Sequence, residues 1–197
     1  MALSFAGNGT ITGLSVGGLP DGVVDEDTLA NNAVASGKLA SGVGGKVLQC
    51  VGMSKTDTQS GNANSFVDVM TLAITPTSTT SKILVMASLT FAGPTTNMGH
   101  YRLARDSTGI CVGDAAGSRK QVFGTMSREN AASMVNAGIT YLDPNTPVDT
   151  TTAITYKVQC IASPDTQTWY VNTSSTNNDS DAYGRGASTL TLMEISA

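Results

Sequence analysis

The chain has 197 residues, of which 13% are charged, with a formal net charge of −4 and 21 glycines. That length fits one compact domain with a small appendage. A pI near 4.7 argues against sequence-independent nucleic-acid binding, which needs a clustered basic face, and no apolar run approaches the ~20 residues of a membrane span.

Residues 1–45 read as an arm and stem. Met1 to Ala6 carries no basic residue and the first lysine is Lys38, so no secretory signal is expected and assembly in the cytoplasm is. In an extended arm Leu3 and Phe5 point the same way, and Ile11 continues that side, forming a stripe suited to a partner's groove. Val24–Ala30 and Val34–Ala40 echo each other, matching valine, leucine and alanine. The segment from Asp27 to Val34 can also form a short amphipathic helix capped by Asp25 or Asp27. This stretch holds only Phe5 as an aromatic residue and cannot close a core alone, so its apolar residues need a partner surface.

From Lys46 onward the sequence reads as strands separated by turns. They are expected at Lys46–Met53, Phe66–Ile74, Lys82–Phe91, His100–Asp106, Gln121–Ser127, Met134–Leu142, Ala153–Ala162, Gln167–Asn172 and Ala187–Ile195. In Phe66–Ile74 the alternation slips at Val69 and Met70, which predicts a bulge. Lys82–Phe91 is nearly continuous apolar, the pattern of a central strand covered on both faces. Turn chemistry lies between them, at Asp106-Ser107-Thr108-Gly109, Asp143-Pro144-Asn145, Ser163-Pro164-Asp165 and the long polar loop Thr173–Gly186. The fold class expected is all-β, an antiparallel β-sandwich or jelly roll spanning residues 46–197, preceded by a short extended or partly helical stem. The three cysteines, Cys50, Cys111 and Cys160, lack close pair spacing, so no disulfide framework is expected. Cys50 and Cys160 read as small buried hydrophobes.

The opening Met1–Phe5, Gly9–Asp25 and Asn32–Ser41 resembles the start of bacteriophage structural proteins in which a thin stem precedes a β head. The segments Tyr156–Cys160, Trp169–Asn172 and Gly186–Ile195 resemble phage fibre heads and, more distantly, the trimeric jelly rolls of the tumour-necrosis-factor and complement-head families. The resemblance implies a homotrimeric surface fibre or decoration protein on the virion. Leu3, Phe5 and Ile11 would then anchor it to a capsid or tail protein. It further implies an apolar trimer strip, for which Trp169, Tyr170, Leu190, Leu192 and Ile195 are the candidates.

Catalytic constellations are not evident. His100 is the sole histidine, at a strand start, and reads as a structural or surface residue. Gly13-Leu14-Ser15-Val16-Gly17 has the letters of a nucleophile elbow, but a glycine-rich stem supplies neither the strand nor the helix that motif needs. The carboxylates Asp68, Asp106, Asp114 and Glu129 lie in unrelated segments, which spacing cannot pair. Asp25-Glu26-Asp27 reads as a cap or solvated face, and Asn177–Asp181 lacks the glycine and terminal glutamate of a calcium loop. No metal and no cofactor are expected, and the chain is expected not to be an enzyme. Tyr183 and Arg185 combine an aromatic face with a planar donor, and are the candidate contacts to a host-surface glycan. The alternative reading is a soluble carbohydrate-binding β-sandwich.

Overall fold

The computed structural model describes residues 46–93, 98–126, 133–144, 152–163 and 167–196, together with Ser4–Phe5, Ile11–Thr12 and Val34. The chain separates into two compact units, Met1–Gly45 and Lys46–Ala197. In the first, β1 (Ser4–Phe5) pairs antiparallel with β2 (Ile11–Thr12), placing Phe5 opposite Ile11. The two short strands are antiparallel neighbours, which corrects the single extended stripe expected from spacing. Leu3, the acidic cluster and residues 27–33 of the expected helix lie outside the described residues.

The second unit is all-β among its described residues. Its strands are β3 (Val47–Lys55), β4 (Gln59–Gly61), β5 (Val67–Ile74), β6 (Lys82–Ala92), β7 (Met98–Arg105) and β8 (Thr108–Ile110). They continue with β9 (Gly124–Met126), β10 (Val135–Asp143), β11 (Ile154–Ser163), β12 (Trp169–Val171) and β13 (Ser188–Ile195). Strand β6 is the centre of the first sheet. It pairs with β10 along Ile83–Phe91 on one flank, and with β13 and then β12 on the other. Strand β3 lies outside β13, and β4 outside β12. The second sheet runs β5-β11-β7, with β8 and β9 both pairing β7. Every pairing is antiparallel. The two sheets have principal orders β3-β13-β6-β10 and β5-β11-β7-β9. Successive pairs of strands thus cross from sheet to sheet, which is the winding of a jelly roll.

One apolar core lies between the sheets, with Val85, Leu89, Leu190 and Leu192 from the first and Leu103, Tyr156, Val158 and Cys160 from the second. The expected bulge is present: the β5–β11 register jumps from Val158↔Met70 to Gln159↔Asp68, leaving Val69 as the extra residue. Both Val69 and Met70 are buried. Strand β6 is central but differs from expectation in its burial. Ile83, Val85, Leu89 and Phe91 are buried while Leu84, Met86, Ser88 and Thr90 are only half-buried. The sheet has an open outer face, as antiparallel sheets commonly do. Cys50 lies on that face and is exposed, which corrects its expected burial, whereas Cys160 is buried as expected.

Two buried carboxylates tie the sandwich together. Asp143, at the end of β10, is fully buried; it faces Arg105 Nη1 at 2.7 Å and accepts the Tyr156 hydroxyl at 2.9 Å. One side chain of the first sheet thereby holds β7 and β11 of the second. Glu194 on β13 accepts Gln49 Nε2 at 2.6 Å and the Thr77 amide at 2.8 Å, fixing the turn that leads into β6.

Candidate functional site

The loop between β12 and β13 is built on Asn172. Its backbone is left-handed, with φ 60°, a conformation that asparagine tolerates better than most residues. Its fully buried side chain donates from Nδ2 to the carbonyls of Lys55 at 2.9 Å and Asp57 at 3.0 Å, and accepts the Ser188 hydroxyl at 2.7 Å. Its amide donates to the Thr90 carbonyl, and its carbonyl accepts the Gly186 amide. A single residue thus clamps both ends of the loop onto β6 and β13, with its side-chain amide satisfied as a buried polar group must be. Gly186 has no alternative there, since a Cβ would meet Thr90 Cγ2 at 2.5 Å.

Inside that clamp the polar residues bond to one another. Thr173 and Ser174 are buried, and the Ser174 hydroxyl donates to the Thr176 carbonyl at 2.8 Å. The Ser180 amide donates to the Asn178 carbonyl and the Tyr183 amide to the Ser180 carbonyl, at 3.1 and 3.0 Å. The loop therefore folds back on itself around a recess of about 220 Å³, lined by Asn177, Asn178, Asp179, Ser180, Tyr183 and Arg185. The structure brings together two groups that are separate in the sequence reading, the Asn177–Asp181 run and the Tyr183/Arg185 pair. Both sit between the same two strands, which is the signal that links them. Asn172 and Gly186, which position the loop, carry no sequence signal beyond bounding it.

Chemically the recess offers planar amides, one carboxylate, a hydroxyl, a phenol ring and a guanidinium. That set donates to and accepts from a polyhydroxylated ligand and provides one flat face for an apolar ring surface. Among the described residues there is no group of three or more His, Cys, Asp and Glu suited to a metal ion. His100 is on β7 with Nδ1 3.2 Å from Thr125 Oγ1. Burial, helped by the Lys120 charge, holds its pKa below the ordinary value. On the outer side of the second sheet, Lys157 faces Asp68 at 2.7 Å and Gln159 bridges Asp68 to Arg102, whose guanidinium lies 3.5 Å from the Phe66 ring centroid. These groups satisfy one another.

The expected trimer strip divides. Trp169, Leu190 and Leu192 are fully buried in the core of a single chain, so a neighbouring copy cannot reach them. This corrects their assignment, and the reason is strand alternation: on β13 the even-numbered residues face inward. Tyr170 and Ile195 alternate to the other side and are half-buried.

No protein-family model matches this chain, and no curated protein does. Among solved structures, one chain of infectious bursal disease virus, Gx strain, is similar at 11% identity and a TM-score of 0.39. The match covers 76% of this chain and 37% of the viral one.

Proposed function

We propose that the chain is a non-enzymatic virion structural protein, a homotrimeric surface fibre or decoration protein of a bacteriophage. Residues 1–45 attach it to a capsid or tail protein, with Leu3, Phe5 and Ile11 as the anchoring side chains, and the jelly-roll head faces outward. The observation that supports this best is the recess: a polar binding loop clamped at both ends to a rigid sandwich is a display device. Its contact would be a host-surface glycan, whose hydroxyls suit Asn177, Asp179 and Arg185 and whose ring suits Tyr183. The same chemistry favours a second reading, a soluble carbohydrate-binding sandwich. One measurement separates them and a second tests the recess they share. Mass spectrometry and immunogold labelling of purified particles should find the chain on the virion. Glycan binding by the full chain should fall at least tenfold in Tyr183→Ala and Arg185→Ala. Particles lacking the chain, with sugar binding retained by the free protein, would establish the second reading. Leu3→Ser with Phe5→Ser should lower incorporation into particles, and wild-type incorporation would remove the arm as anchor.

A further inference from the structure

We infer that the outer face of the first sheet is a contact surface between copies of this chain, centred on the row Cys50, Met193, Leu84 and Leu142. Registers place these four side by side: Met193 is opposite both Cys50 and Leu84, and Leu84 is opposite Leu142. Directly opposed residues in antiparallel strands share a face, so the row crosses all four principal strands of the sheet. It continues at the start of β3, where the β3–β13 register shift leaves Leu48 beside Val47. The head has four exposed large hydrophobics among its described residues, namely Val47, Leu48, Val135 and Leu142, at 44–49% exposure. Three of the four belong to this end of this face. The inference rests on the proposed homotrimer only in taking another copy of the chain as the occupant.

Charge decides which occupant fits. Both acids on these strands that could have faced outward, Glu194 and Asp143, are fully buried on the inner side. The outward positions of β13 are Thr189, Thr191, Met193 and Ile195, and those of β10 are Asn136, Gly138, Thr140 and Leu142. Lys82, at the end of β6 beside Ile195, is the one charged side chain on the outward positions of the four principal strands. A face whose single charge lies at its end meets another copy of the chain with little repulsion, and charge depletion marks the centres of association surfaces. Residues 1–45 suit it less well, since they carry Asp21, Asp25, Glu26 and Asp27 against Lys38 alone. Four strands by eight residues give a face of roughly 500 Å² in plan. Side-chain relief raises the accessible area toward the ~800 Å² per partner of a stable interface.

The test is the mass of the full chain by sedimentation equilibrium at micromolar concentration. Wild type should sediment as a multiple of 20.1 kDa. Leu48→Lys with Leu142→Lys should sediment as a single chain, because both positions are exposed in the isolated head and tolerate lysine. Val135→Lys, an equally exposed position on a different part of β10, should leave the mass unchanged. Alkylation of Cys50, read by peptide mapping, gives a measurement without mutation: its rate should fall at least tenfold from dilute to concentrated protein. A monomeric wild type, or an unchanged mass in the double variant, overturns the inference. So does a monomer whose residues 1–45 become protease-sensitive in the double variant, since the arm would then be the occupant. A monomer found on purified particles would sink this inference and leave the virion reading standing, and oligomers absent from particles would do the reverse.

Discussion

Replacing Asp143 with alanine should be among the most damaging single changes in the head. The carboxylate is fully buried, 2.7 Å from Arg105 Nη1 and 2.9 Å from the Tyr156 hydroxyl. Removing one partner of a buried ion pair costs about 3–5 kcal/mol, because the remaining charge is left uncompensated. Here the Arg105 side chain keeps 18% of its surface in water, so it rehydrates in part and the cost falls at the low end, about 3 kcal/mol. That figure includes the stranded Tyr156 hydroxyl, worth about 1–3 kcal/mol by itself. At roughly 2–4 °C per kcal/mol for a chain of this size, the melting temperature should drop by about 6–12 °C. Urea unfolding followed by the fluorescence of the single tryptophan, Trp169, reads the core directly. Tyr156→Phe is the comparison: it removes one hydrogen bond to a charged acceptor, about 1.5–3 kcal/mol, and leaves the ion pair in place. The two losses should be strongly non-additive in the double variant. A loss below about 1 kcal/mol for Asp143→Ala, or simple additivity, would refute the claim that one carboxylate joins the two sheets.

Glu194 should give the head an acid limb. Burial raises its pKa, but hydrogen bonds led by that from Gln49 outweigh it and hold the carboxyl below the ordinary 4.5. Its contribution is therefore complete above the unfolded value and is lost as pH falls from about 4.5 through the lower folded value; Glu194→Gln should be less stable at pH 7 and show a flatter acid limb. Gly61→Ala places a Cβ 2.5 Å from Trp169 Cζ2, and should cost about 1–3 kcal/mol by overpacking with a shift in tryptophan emission. Leu192→Ala should cost about 2–5 kcal/mol as a core cavity while leaving the oligomeric mass as it is, and a change of mass at unaltered stability would return Leu192 to the interface.

Strand placement is legible in this sequence because alternation and turn residues coincide. Val69-Met70 is the clearest case: two adjacent apolar residues in an alternating strand need an extra residue to share one face, and a bulge supplies it. Strands β4 and β8 are not legible. Gln59-Ser60-Gly61 and Thr108-Gly109-Ile110 are three-residue pieces made of turn-type residues, and they pair because β12 and β7 present open edges to them. The burial of both faces of β6 is misread for a related reason. Leu84 and Met86 look like core residues in any window of sequence, and only the sheet's position on one side of a two-layer sandwich shows that they face outward.

That ambiguity matters most on β13, where the same apolar run serves two purposes. Leu190 and Leu192 fill the core, while Met193 and Ile195 face out, and a one-residue difference in register would exchange them. Sequence supplies the period but not the phase. Glu194 suits only one phase: its carboxylate finds the Thr77 amide and hydroxyl and the Gln49 amide on the inner side. Turned outward, it would give up those bonds and place a charge in the middle of an apolar row. A buried acid in the strand is thus what keeps the outer face neutral, so the inner polar cluster and the outer apolar row are two consequences of one register. If Glu194 sets that register, then Glu194→Gln, which keeps the shape and most of the hydrogen bonds, should preserve the oligomeric mass at pH 7. Glu194→Leu, which makes the two faces of β13 nearly equivalent, should broaden the amide spectrum of the β3 and β13 strands or promote aggregation. A sharp spectrum with unchanged mass for Glu194→Leu would show instead that the register is fixed by the core leucines alone.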